Sequence, residues 1–197
     1  MKTSYQFILF AILIATLQTG CVVQSTHPYY TDDKLVASPA SIQGNWTLSN
    51  KSNKNIKVKH WSISGNTLVT YDNHNIKSAL KLRFFKVNGV LYCDSAPGSV
   101  SERKINSYWG FHIHPTHLLS RVIISPKKLQ FQLIDPRQLV QLIKNSKLSL
   151  ASTKPNDLTS DTNLYIVKST DWVKFITRYG STPNLFNDKS GVTLTRK

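Results

Sequence analysis

The sequence predicts an α+β domain, mainly antiparallel β, built as a barrel or half-barrel with two packed helices. Three observations carry that reading. Leu80, Leu82 and Phe84 alternate with Lys81 and Arg83, and Leu129, Phe131 and Leu133 alternate with Lys128, Gln130 and Gln132. A sheet with one core face and one wet face produces this pattern. Asn88-Gly89 joins two apolar runs and is a strong short hairpin signal. Two stretches, near 135–147 and 169–180, switch to helical spacing with helix-end chemistry.

Composition agrees with one globular unit. The chain has 197 residues, 40% of them hydrophobic and 10% aromatic, enough to bury a core and to exclude wholesale disorder. Only 8 glycines and no heptad pattern exclude collagen-like and coiled-coil forms.

From the N-terminus, the first element is an export signal over 1–20. Lys2 supplies a basic start, Phe7 to Leu17 an apolar run, and Thr19-Gly20 small residues before Cys21. That run is well short of the ~20 residues a spanning helix needs. Residues 21–41 hold His27-Pro28-Tyr29-Tyr30-Thr31 and Ser38-Pro39 without sustained periodicity, and read as a tether whose tyrosines can pack on the domain. The domain proper is expected over 42–197. Strands are expected at 43–50, 56–64, 67–72, 78–87, 90–94, 118–125 and 128–134, parted by turn formers such as Gly65-Asn66 and Asn73–Asn75. Asp135-Pro136 then offers an N-cap carboxylate and a first-turn proline, ahead of Leu139, Val140, Leu142 and Ile143. The second helix opens near Ser169-Thr170-Asp171 and carries Trp172, Phe175, Ile176 and Tyr179 as one stripe, with Gly180 as a left-handed cap. Further strands are expected at 164–167 and 192–195.

Thr19-Gly20-Cys21 resembles the lipobox of bacterial lipoproteins, with Leu17 four positions before the cysteine. The resemblance implies a diacylglycerol on the Cys21 sulfur, cleavage before it, and a further acyl chain such as palmitate on its amine. Two or more chains anchor a protein stably where one binds only marginally. Val22, where Asp would imply inner-membrane retention, implies the outer membrane. Gly44-Asn45-Trp46, at the start of the first barrel strand, resembles the Gly-X-Trp signature of lipocalins, whose tryptophan packs across the closed end. With Cys21 and the His27–Thr31 segment, the chain is similar to a group of uncharacterised bacterial lipoproteins carrying a lipocalin-like domain, a group that implies no particular activity.

The remaining candidates are sparse. Cys93 lies in the apolar run from Val90 and is expected as an inert, buried thiol if Cys21 is acylated; a Cys21–Cys93 disulfide is the alternative. His112, His114 and His117 form the one segment that invites a metal, since His112 and His114 share a face of a strand. Acids are scarce nearby, so polar positions beside a proline-broken strand are the alternative reading. No Gly-X-Ser-X-Gly elbow, His-Glu-X-X-His or phosphate loop is present, and Glu102 is the sole glutamate. No catalytic residue and no cofactor are expected.

With 25 Lys+Arg against 10 Asp+Glu, the net charge is +15, and removing 1–20 takes away only Lys2 among these. Lysines cluster at Lys51, Lys54, Lys57 and Lys59 and again at Lys77, Lys81, Arg83 and Lys86. Such a surface favours anionic lipid or a polyanionic envelope polymer, and a solvated face with no specific partner is the alternative. An exported chain rarely meets nucleic acid, so none is expected as a partner. The expected function is that of a non-enzymatic, bilayer-anchored envelope lipoprotein facing the periplasm, binding a hydrophobic or anionic ligand or a neighbouring protein. A cavity would be lined by Trp46, Leu80, Leu82, Phe84, Phe131 and Leu133, which would be plain core in a filled barrel. A periplasmic metal-dependent enzyme on His112, His114 and His117 is the alternative.

Overall fold

Alternation along the strands closes into a wall with two working faces. The computed structural model describes residues 23–49, 58–72, 77–98, 116–146, 150, 152–153 and 163–196. The strands are β1 (Val23–Ser25), β2 (Leu35–Val36), β3 (Gly44–Leu48), β4 (Val58–Ser64), β5 (Thr67–Asp72), β6 (Lys77–Val87), β7 (Val90–Pro97), β8 (His117–Ser125), β9 (Lys128–Ile134), β10 (Ser152–Thr153), β11 (Asn163–Tyr165) and β12 (Phe186–Arg196). The helices are α1 (Pro136–Ser146) and α2 (Ser169–Tyr179). β3 to β9 pair as an antiparallel meander, and β12 pairs with both β9 and β3. The result is a closed eight-stranded antiparallel barrel with extra strands and two helices, the α+β lipocalin-like architecture.

The strand period of two sorts side chains into separate cores. Inside the barrel, Trp46, Trp61, Ile63, Leu68, Leu80, Leu82, Phe84, Cys93, Leu129 and Phe131 belong to one buried cluster. On the outer wall, Phe85, Val87, Tyr92, Leu119, Ile134 and Phe186 form a second with Leu139 of α1 and Trp172, Phe175 and Ile176 of α2. The helices thus cover the barrel from outside. Trp172 anchors this layer: its ring centroid lies 4.6 Å from Tyr29 and 5.8 Å from Phe175, and its indole N–H donates to Ser25 Oγ at 2.9 Å.

Local chemistry explains the boundaries. Asn88 and Gly89 both adopt positive φ, +51° and +77°, as the tight β6–β7 hairpin demands. Asn88 Nδ2 also donates to the Thr177 carbonyl at 2.9 Å, tying that hairpin to α2. Asp135 caps α1, its Oδ1 accepting the Arg137 N–H at 2.8 Å.

Several expectations need correction. Over its described part, the 21–41 segment is no tether. β1 pairs with β8 and β11, β2 pairs with β6, and Tyr29 is wholly buried. Strands of two or three residues are too short to show a period. Gly180 is not a left-handed cap: its φ is −59° and its ψ −22°. Glycine is required there by close approach, since a Cβ would come within 2.5 Å of the Tyr92 hydroxyl and the Ile176 carbonyl oxygen. The strand expected at 164–167 is β11, which stops at Tyr165 and lies outside the barrel, parallel to β1. The last strand begins at Phe186 rather than 192, with a register shift between Asn187 and Val192.

Candidate functional site

Three places on this scaffold gather chemistry. The first is the barrel interior. A 3₁₀ turn, Ala40–Ile42, plugs the end where β3 begins, and Ile42 is fully buried. Trp46 Nε1–H donates to the Ile42 carbonyl at 2.8 Å. The Arg196 guanidinium lies 4.7 Å from the Trp46 ring centroid and donates to the Ser41 carbonyl. Gln43 pins the plug to the β4–β5 hairpin: its Oε1 accepts the Gly65 N–H, and its Nε2 donates to Ser38 Oγ, both at 2.8 Å. Of the residues expected to line a cavity, Trp46, Leu80, Leu82, Phe84 and Phe131 lie in the inner cluster, at most 7% exposed. Leu133 alone is half-buried and outside it, opposite Ser120 toward the other end. Thr70, Ser78, Ser95 and Ser120, all buried, are small polar residues on that inner face.

The second place is on the outer wall, where Asp94 is 1% exposed. Its Oδ2 accepts the Tyr29 N–H at 2.8 Å, and its Oδ1 stands 2.8 Å from His117 Nδ1. An ionised carboxylate only accepts, so this contact places the imidazole proton on Nδ1 and leaves Nε2 as the ring's other polar atom. β1 runs beside it, with Ser25 opposite His117. Burial, then the Asp94 charge, holds the Tyr29 phenol well above its ordinary range. Cys93 is buried in the inner cluster, and desolvation followed by Asp94 likewise pushes its thiol well up, so it is protonated and inert. Cys21, His112 and His114 lie outside the described residues, as do the signal segment, Glu102 and Lys51, Lys54 and Lys57. No group of three metal-binding side chains occurs among the described residues. The sequence reading named His117 but missed Asp94. The available signal was an acid set inside an apolar strand, which demands a buried partner.

The third place is a groove of about 920 Å³ at the plugged end. β6 and β7 extend beyond β5, and β2 pairs with the freed edge of β6 at Phe84 and Phe85. Between this strap and the sheet lie Val36, Pro39, Leu91, Val122 and Ile124, with Lys86 on the groove's lining. Lys86 shares the inner face with Phe84 and stands opposite Leu91, but beyond the barrel body, and it is exposed. The groove is therefore mainly apolar, with two cations, Lys86 and Arg121, on its lining.

No family model matches the chain, and it has no match among curated proteins or solved structures. No helix among the described residues is long and apolar enough to cross a membrane.

Proposed function

We propose that the protein is an exported, lipid-anchored envelope lipoprotein without catalytic activity, acting through its outer surface on a hydrophobic or anionic ligand or a neighbouring envelope protein. The filled interior is the observation that carries the binding half of this reading. Five residues that would line a ligand cavity are instead packed on one another, so the groove at the plugged end is where an amphiphile can be met. The anchoring half rests on the apolar run ending at Thr19-Gly20-Cys21 and on its resemblance to a lipobox, and Val22 favours the outer membrane. Intact mass spectrometry of protein from native membranes tests it. The expected mass begins at Cys21 with acyl chains and disappears in Cys21→Ala; an unmodified mass beginning elsewhere overturns the anchor.

One observation favours a second reading, a metal-dependent enzyme on His112, His114 and His117. Asp94 orients His117 through Nδ1, as carboxylates orient metal-binding histidines, and leaves Nε2 for a metal. Stoichiometric zinc that is lost in His112→Ala and His114→Ala would establish it; protein free of zinc after incubation with the metal would remove it.

A further inference from the structure

Strand direction gathers several exposed cations and exposed apolar residues of the described chain at the plugged end. β6, β8, β4 and β12 all run toward the plugged end, as the antiparallel registers require. That end holds Lys86, Lys127 and Lys128, all exposed, and none of them forms an ion pair among the described residues. Among the described residues, Asp32 and Asp33 lie just before β2 on this side, and Asp33 is paired with Lys34 at 3.0 Å. Asp72, Asp135 and Asp188 lie at the opposite end, at the finish of β5, after β9 and near the start of β12.

Exposed apolar groups follow the same polarity. Leu35 and Ile123, 37% and 41% exposed, flank the β6–β7 hairpin there, beside the open groove. Ile166, the remaining large exposed apolar residue of the described chain, lies just after β11, elsewhere on the surface. The N-terminal strand stands away from this end, against the first residues of β8. β1 is antiparallel to β8, with Gln24 opposite Leu118 and Ser25 opposite His117, so it contributes nothing to the plugged end.

We infer that the plugged end is a docking face for an anionic lipid bilayer, with Lys86, Lys127 and Lys128 on headgroups and Leu35 and Ile123 entering the interface. The inference rests on the reading of an outer surface that acts on an anionic ligand, and takes nothing from the position of the anchor. Each cation near a negatively charged bilayer adds attraction, and partly exposed apolar side chains add area removed from water.

A polarity-sensitive dye tests the orientation directly. In full-length Cys21→Ala protein, whose remaining Cys93 is buried, Ile123→Cys and Lys77→Cys each offer one labelling site at opposite ends of the barrel. Vesicles of phosphatidylcholine with phosphatidylglycerol should blue-shift the dye at 123 and leave that at 77 unchanged, whereas phosphatidylcholine alone should shift neither. Lys86→Gln with Lys127→Gln should raise the vesicle concentration needed by roughly thirtyfold. Lys77→Gln with Lys168→Gln, an equal charge change remote from this end, should not. Equal shifts at both sites, a shift at 77 alone, no shift at 123, or equal effects of the two lysine pairs overturn the proposal. A soluble polyanion that shifts the dye at 123 as vesicles do also overturns it in favour of an envelope polymer. Failure of acylation appears separately, in the mass of the wild-type protein.

Discussion

His117 Nδ1 stands 2.8 Å from Asp94 Oδ1, joining the start of β8 to a carboxylate that is almost completely buried. Because Asp94 also accepts the Tyr29 N–H, one side chain fastens the N-terminal segment to the barrel wall. Asp94→Ala should therefore cost about 2–5 kcal/mol, the range for removing one member of a buried charged hydrogen-bonded pair. Denaturant titration measures the loss, and limited proteolysis should find new cleavage between β1 and β2. A variant within about 0.5 kcal/mol of wild type would show that the latch contributes little.

Tyr29 makes a separate prediction. Its hydroxyl is buried with no hydrogen-bond partner among the described residues, so Tyr29→Phe removes an unsatisfied polar atom and keeps the ring against Trp172. At pH 7 the variant should be as stable as wild type or more so. The folded phenol binds its proton more tightly than the ordinary value of 10.0, so its contribution is fully present below pH 10 and is lost as pH rises above it. Thermal melts at pH 8 and pH 11 should show a smaller alkaline drop in Tyr29→Phe than in wild type. An equal drop would assign the alkaline loss to other groups.

Cys93 should resist thiol reagents in the native protein and react once denaturant opens the barrel, because its side chain is enclosed among Phe84, Leu129 and their neighbours. Fast native labelling of the Cys21→Ala chain would contradict the packed interior.

The two cores should respond independently. Trp46→Ala empties the inner cluster and Trp172→Ala the outer one, each at about 3–5 kcal/mol. Since the clusters share no member, the two losses should add to within about 0.5 kcal/mol in a double variant carrying stabilising osmolyte. A larger coupling would mean that the wall transmits packing between its faces.

Legibility in the sequence followed the length of the pattern. β6 and β9 alternate over enough residues to declare their inner faces, and α1 and α2 carry both period and boundary residues, so each appeared close to its observed place. β1 and β2 span three and two residues, too few for a period to register, and the segment holding them passed for a tether. The Asp94–His117 contact joins positions 23 apart through strand pairing, a distance that no local motif encodes. Closure was equally hidden. The alternating runs suit an open half-barrel as well as a full one, and only the pairing of β12 on both sides decides between them.

That seam has a kinetic meaning. Thr47 and Thr195 face each other across β3 and β12 from positions 148 apart, so the ring cannot join until nearly the whole chain is available. Contacts of such long sequence separation slow folding, and until they form the edges of β3 and β9 are open templates for intermolecular pairing. The same late strand delivers Arg196 to the Trp46 ring and to the plug. A chain truncated before Phe186 would lack its seam and that clamp together, and its fate would be aggregation rather than a smaller barrel.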